Sequence, residues 1–154
     1  MITKENNYNK KKYRVCIPTA GIGSRLKSLT KNLNKSLVDI NHKAIISHII
    51  EKFPHNTEFV IPLGFKGDLV KQYLRLTYPK RKIFFTNVKK YKGKGSGLGL
   101  SILSAKKYLN QPFIFISCDT LINDRIPKLD KNWVGFSDYG DPKKYRGIKL
   151  YKGL

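Results

Sequence analysis

The sequence predicts an α/β fold in which a mostly parallel sheet is flanked by helices. Two observations predict it. Short apolar runs alternate along the chain with segments of helical apolar spacing, and a glycine-rich turn and an aspartate each fall just after such a run. Alternation of this kind builds a parallel sheet covered on both faces, because each return to the sheet needs a helical crossover. The chain has 154 residues, 40% of them hydrophobic, enough for one domain with a real core.

Residues Met1 to Lys12 are polar and lysine-rich, without the apolar stretch of a secretion signal. They are expected to form a flexible basic tail (1–12) ahead of a domain over 13–154, in a cytoplasmic protein. No apolar run approaches the length of a membrane span. Tyr13–Ile17 reads as the first, buried strand, and Leu37–Ile40 as a short β-run. Lys43–Phe53 reads as a helix with Ala44, Ile45, Ile49, Ile50 and Phe53 on one face. A strand over Glu58–Ile61 follows, then a helix over Lys66–Leu76 with Leu69, Val70, Tyr73 and Leu74 as its core stripe. Lys82–Thr86 is the next strand, and Gly97–Leu109 a helix with Leu98, Ile102, Ala105 and Leu109 inward. Phe113–Ser117 and Trp133–Phe136 complete the strand set, and the stretch from Tyr145 to Tyr151 suggests one more.

Right-handed crossovers place ligands beyond the carboxyl ends of the strands, where strand order reverses. The turn after the first strand, Ala20-Gly21-Ile22-Gly23-Ser24-Arg25-Leu26, suits that place. Its glycines allow a sharp turn and bring bare N–H groups near a bulky anion. Arg25, and Lys35 ten positions on, add a forked cation and a point charge suited to phosphate. A dinucleotide fingerprint is excluded, because Leu26 stands where the third glycine belongs. A Walker loop is excluded too, since the Lys-Ser pairs follow Leu26 and Asn34, not glycine. Asp119 ends the Phe113–Ser117 run and is expected to face the loop across one crevice; its plainer reading is a turn cap.

Cys16 and Cys118 fall in apolar strand stretches without metal-ligand spacing, so buried free thiols are expected. The two strands are expected to be neighbours, which leaves a disulfide as the minority reading. The net charge of +21 raises a nucleic-acid reading. Between Lys66 and Lys94 basic residues interleave with Tyr73, Tyr78, Phe84, Phe85 and Tyr91. The lysines nevertheless spread over the whole chain, so no specific nucleic-acid partner is expected.

An ordered set of motifs over about residues 13 to 136 resembles the nucleotidyltransferase family that makes nucleotide sugars. The set is Gly21-Ile22-Gly23-Ser24-Arg25-Leu26 with Thr30 and Lys35, then the Leu37–Ile40 run, Val60-Ile61-Pro62-Leu63-Gly64-Phe65-Lys66, Gly97-Leu98-Gly99, and the strand ending in Ser117-Cys118-Asp119. Gly97 to Asp119 and Asn132-Trp133 look most like capsule- and surface-polysaccharide members. The resemblance implies a Rossmann-like fold of the nucleotide-diphospho-sugar transferase kind. It also implies transfer of a nucleotidyl group from a nucleoside triphosphate to a sugar phosphate or related alcohol phosphate, with Mg2+. Carried onto this chain, it makes Gly21, Gly23 and Ser24 the triphosphate cradle, and has Ala20 and Gly97 touch the base through their backbone. Arg25 would hold the β- and γ-phosphates, and Lys35 would sit between the α-phosphate and the incoming phosphate; these two are the catalytic pair. Asp119 would bind the metal, with Asp124 and Trp133 near the acceptor.

Two departures stand out. Asn34 occupies the place of the family's usual proline before the lysine. Members also continue further and supply a second metal-binding aspartate, for which only Asp138 and Asp141 are in range here. The chain is therefore expected to be the N-terminal, nucleotide-binding portion, with the C-terminal part missing. A catalytically incomplete nucleotide-binding fragment and a basic RNA-binding domain remain the alternatives. Oligomeric state and the identity of the base are left open.

Overall fold

The computed structural model describes residues 13–127 and 131–136. The elements run β1 (Arg14–Cys16), β2 (Asp39–Ile40), β3 (Lys43–Ala44), α1 (Ile45–Ile50), β4 (Glu58–Leu63), α2 (Gly67–Thr77), β5 (Ile83–Asn87), α3 (Leu98–Ser104) and β6 (Phe113–Phe115). Short 3-10 turns cover Ser24–Thr30, Lys35–Leu37 and Lys106–Tyr108. The main sheet has the order β5-β4-β1-β6, and every pairing in it is parallel.

β4 is buried over its whole length, which is why Glu58–Leu63 reads as a nearly unbroken apolar run and not as an alternation. β1 lies between β4 and β6, with Val15 and Cys16 fully buried. Its hydrogen bonding continues past Cys16, through Ile17 N–H to the Val60 carbonyl (3.0 Å) and Thr19 N–H to the Pro62 carbonyl (2.9 Å). Ile45, Ile46, Ile49 and Ile50 of α1, with Phe53, pack on Val15, Phe59 and Ile61. Phe53 meets Phe59 edge to face at 5.9 Å.

Four expectations change. The helix over Lys43–Phe53 starts only at Ile45, because Asn41 and His42 both adopt positive φ (52° and 61°). Such a pair makes a tight hairpin turn, so Lys43–Ala44 returns as β3 against β2. In α2, Val70 and Leu74 are buried but Leu69 is exposed. A step of about 100° separates Leu69 from Val70, and Gly67 seated against Leu63 sets the helix rotation. In α3, Leu98 is 44% exposed while Ala105 is buried. Ser104 at the helix end bonds Thr86 near the end of β5 (3.1 Å), so the helix start with Leu98 projects beyond the strands. Finally, 133–136 forms no strand: Val134 and Phe136 are 70% and 69% exposed, and only Trp133 of the stretch packs on the core. The expected strand from Tyr145 to Tyr151 lies outside the described residues, as do Asp138, Asp141 and the 1–12 tail.

At the amino ends of the strands Glu58 joins three elements. It accepts from Arg14 Nε (2.8 Å) and from Lys82 Nζ (2.7 Å). Arg14 also donates to the Tyr108 carbonyl (2.7 Å), and its guanidinium lies 4.7 Å over the Phe84 ring. Removing one partner of a buried pair leaves an uncompensated charge. Glu58→Gln is therefore expected to lower unfolding free energy by about 3 kcal/mol, read as a lower urea midpoint with an unchanged slope.

Candidate functional site

The chain leaves β1 toward β4 and β5 on one side and reaches the other side only with β6, so strand order reverses beside β1. The loops that follow β1 and β6 flank that reversal, where a doubly wound sheet opens a crevice. Both sequence-derived loops fall there: Ala20 to Leu26 after β1 and Ser117 to Asp119 after β6.

The β1 loop is shaped by absent side chains and one threonine. Gly23 has φ 70°, and a Cβ on it would lie 3.0 Å from Thr30 Cγ2 and 3.1 Å from Lys35 Cβ. Thr30 Oγ1 donates to the Gly23 carbonyl (3.0 Å), which also accepts from Leu26 N–H (2.9 Å). Gly64 lets the loop after β4 touch the first one, since a Cβ there would be 2.6 Å from the Ala20 carbonyl oxygen. The same carbonyl accepts from Phe65 N–H at 3.0 Å. Gly21, Ser24 and Arg25 face solvent, and Arg25 has no ion pair or hydrogen-bonded side chain among the described residues.

Lys35 opens the Lys35–Leu37 turn and reaches across to Asp119, with Nζ 2.8 Å from Oδ2. The other oxygen of Asp119 accepts from the Ser117 hydroxyl. The pair sits in a half-open position, the side chains 21% and 47% exposed. Burial alone would raise the Asp119 carboxyl, but the Lys35 ammonium and the Ser117 hydroxyl outweigh it and hold the group below its usual range. Cys118, buried behind Asp119, is pushed up to about 11 mainly by burial, and Cys16 to about 12 for the same reason. Both cysteines are free and buried, as expected, with no disulfide between them.

Gly23, Lys35 and Asp119 thus come together, with Ala20 anchored beside them. Gly97 is exposed at the start of α3, and its carbonyl accepts from Ser101 N–H (3.2 Å). Asp124 is exposed, and Trp133 packs partly on the core. No group of three or more His, Cys, Asp or Glu side chains gathers around a metal position among the described residues. The sequence motifs point to no role for Ser117 or Asn34. Asn34 followed directly by Lys-Ser carries the signature of a helix cap, which is the signal that marks it.

No family model matches the chain. The bifunctional protein GlmU of Methanococcus vannielii is 31% identical over 134 residues, covering 85% of this chain and 31% of that protein. The D-glycero-alpha-D-manno-heptose 1-phosphate guanylyltransferase of Campylobacter jejuni is 25% identical over 114 residues, covering 73% of this chain and 50% of that one. Among solved structures, UDP-glucose pyrophosphorylase from Acinetobacter baumanii superposes with a TM-score of 0.61 over 73% of this chain and 47% of its own, at 15% identity. The chain is a homologue of sugar-phosphate nucleotidyltransferases. Its fold is that of the nucleotide-diphospho-sugar transferases, as the motif order implied. The chain spans about a third of the GlmU relative and about half of the other two.

In this nucleotidyltransferase homologue the lowered Asp119 value fixes a sign. The folded state holds the carboxylate more tightly than the unfolded chain, so the pair stabilises above about pH 4. That contribution is lost as pH falls through the lowered folded value, and the exposure of the pair keeps it small. A carbon-13 NMR titration is expected to place the Asp119 midpoint below the ordinary aspartate range. Lys35→Met should move it upward; an unmoved midpoint would show that the lysine does not hold the carboxylate.

Proposed function

We propose that this chain binds a nucleoside triphosphate over the 20–26 loop and transfers its nucleotidyl group to a sugar phosphate or related alcohol phosphate. An oxygen of the acceptor phosphate attacks the α-phosphorus, the bond to the β-phosphate bridge breaks, and pyrophosphate leaves with that electron pair. The observation that carries the reading is the Lys35–Asp119 pair, 2.8 Å apart at the strand-order reversal and packed against Gly23 of the loop. Homology to sugar-phosphate nucleotidyltransferases supports it.

Both reactants are anions, so neutralising charge and holding them in line supply most of the rate. Lys35 would face the α-phosphate and the incoming phosphate, and Arg25 the β- and γ-phosphates. Gly21, Gly23 and Ser24 would present backbone N–H groups, and Ala20 and Gly97 would meet the base. No general base is needed, because the acceptor phosphate is already ionised. Asp119 fits one ligand of Mg2+: it is a hard, ionised oxygen donor, and a carboxylate retains lone pairs beyond the two contacts it makes here. Mg2+ takes one or two carboxylates and fills its remaining positions with water and phosphate oxygens, and when bound it would neutralise phosphate charge. The capsule or surface-polysaccharide setting rests on the Gly97–Asp119 and Asn132-Trp133 resemblance.

Three of the five aromatic side chains behind the RNA-binding alternative are engaged within the fold. Phe84 is stacked on Tyr108 at 4.7 Å and covered by Arg14, and Tyr73 and Tyr78 hydrogen-bond Ser47 and Glu51.

Incubation with each nucleoside triphosphate, Mg2+ and a panel of sugar and alcohol phosphates is expected to release pyrophosphate for one pairing. Arg25→Ala and Lys35→Ala should each cost about 100-fold in turnover. Silence of the folded protein across the whole panel would sink the activity.

A further inference from the structure

Asn34 is completely buried, and all four hydrogen-bonding positions of its amide are used. Nδ2 donates to the Thr19 carbonyl (2.8 Å) and to the Phe65 carbonyl (2.6 Å). Oδ1 accepts from Ser36 N–H (3.0 Å) and from the Ser36 hydroxyl (2.9 Å). The partners fix the orientation of the amide, since the two carbonyls need a donor and Ser36 N–H needs an acceptor.

These four bonds join three segments. Thr19 immediately precedes Ala20 and the glycine loop. Phe65 follows β4 and is itself bonded to the Ala20 carbonyl. Ser36 belongs to the turn that Lys35 opens. Asn34 therefore ties the backbone that carries Lys35 to the two loops that frame the proposed triphosphate. It touches neither Asp119 nor solvent, so any effect it has on the chemistry passes through Lys35 or the loops. A surface cap would need only the bonds to Ser36. The two donors to loop carbonyls are what a cap does not require, and their loss would leave the buried Thr19 carbonyl and the partly buried Phe65 carbonyl without this partner.

We infer that Asn34 is a positioning residue, which sets the Lys35 ammonium against Asp119 and the glycine loop. Its catalytic meaning rests on the nucleotidyl-transfer reading; its control of Lys35 does not. The lysine side chain is long and flexible, so its ammonium is placed only as well as its backbone is held and its stem is packed. Gly23 packs the stem, and Asn34 holds the backbone.

Asn34→Ser tests this, because serine still caps Ser36 N–H but cannot reach both carbonyls as a donor. In the folded variant, kcat is expected to fall about 100-fold, with the KM for triphosphate changed by less than about threefold. In a Lys35→Ala background the same substitution should have almost no further effect, since the two act as a unit. An equal loss in both backgrounds would overturn the inference, and so would an unchanged kcat. A crystal structure of Asn34→Ser provides a readout that needs no activity: the Lys35–Asp119 contact should open beyond hydrogen-bonding distance. If the unsubstituted protein is silent on every substrate pair, the reaction reading fails and this distance alone decides, a retained contact ending the inference. Should Asn34→Ser fail to fold, Ser36→Ala replaces it in the same cycle and crystal, with a smaller loss expected and the same two outcomes against it.

Discussion

β1 hydrogen-bonds β4 on one side and β6 on the other, and the chain changes side between those two pairings. Everything at the candidate site depends on that central placement. A strand with parallel neighbours on both sides must be buried on both faces, which Val15 and Cys16 are. It also sends its following loop out beside the loop of the strand across the reversal. Lys35 and Asp119, far apart in sequence, can meet only because β1 and β6 deliver their loops to the same end of the sheet.

The two ends of the sheet use charge differently. At the amino end Glu58 is buried and paired with the largely buried Arg14 as well as with the exposed Lys82, so loss of its carboxylate is felt as instability. At the carboxyl end Lys35 and Asp119 remain partly exposed, where an ion pair adds little to stability and stays open to exchange for another partner. The rigidity of that open end comes from uncharged groups: Gly23 and Gly64 allow close approach, and Thr30 and Asn34 close the loops. Neutral hydrogen bonds do the holding, which leaves the charges available.

The sheet was legible in the sequence because its strands are buried runs bounded by turns, and burial is what composition and spacing report. The site loops were legible because glycine and aspartate stand directly after those runs. Positions that depend on the local path were not. Asn41 and His42 take positive φ without a glycine to announce it, which hid the β2–β3 hairpin. Leu98 has helical spacing, but the helix begins beyond the strands, a matter of axial offset that periodicity does not encode. Trp133–Phe136 is apolar enough for a strand but has no strand pairing. In the sequence Asn34 reads only as a departure from a proline pattern, while its value lies in two carbonyls from loops distant in sequence.

Arg25 and Lys35 differ in how much order a ligand must impose on them in the proposed reaction. Lys35 is already placed, its stem packed by Gly23, its backbone tied by Asn34 and its ammonium on Asp119, so little order remains to be imposed on it. Preorganised charge of this kind acts most at the moment of reaction, because no reorganisation is needed as charge builds up. Arg25 has no side-chain partner among the described residues and must be ordered by the ligand, at a cost of about 0.5–1.5 kcal/mol for a long side chain. Part of its attraction to phosphate is thereby offset on binding. Long-range attraction from a net charge of +21 draws any anion toward the chain and fades with salt. It does not distinguish a triphosphate from any other anion. That distinction falls to the cations whose positions the fold fixes, and at the carboxyl end of the sheet Lys35 is such a cation, packed against Gly23 and paired with Asp119.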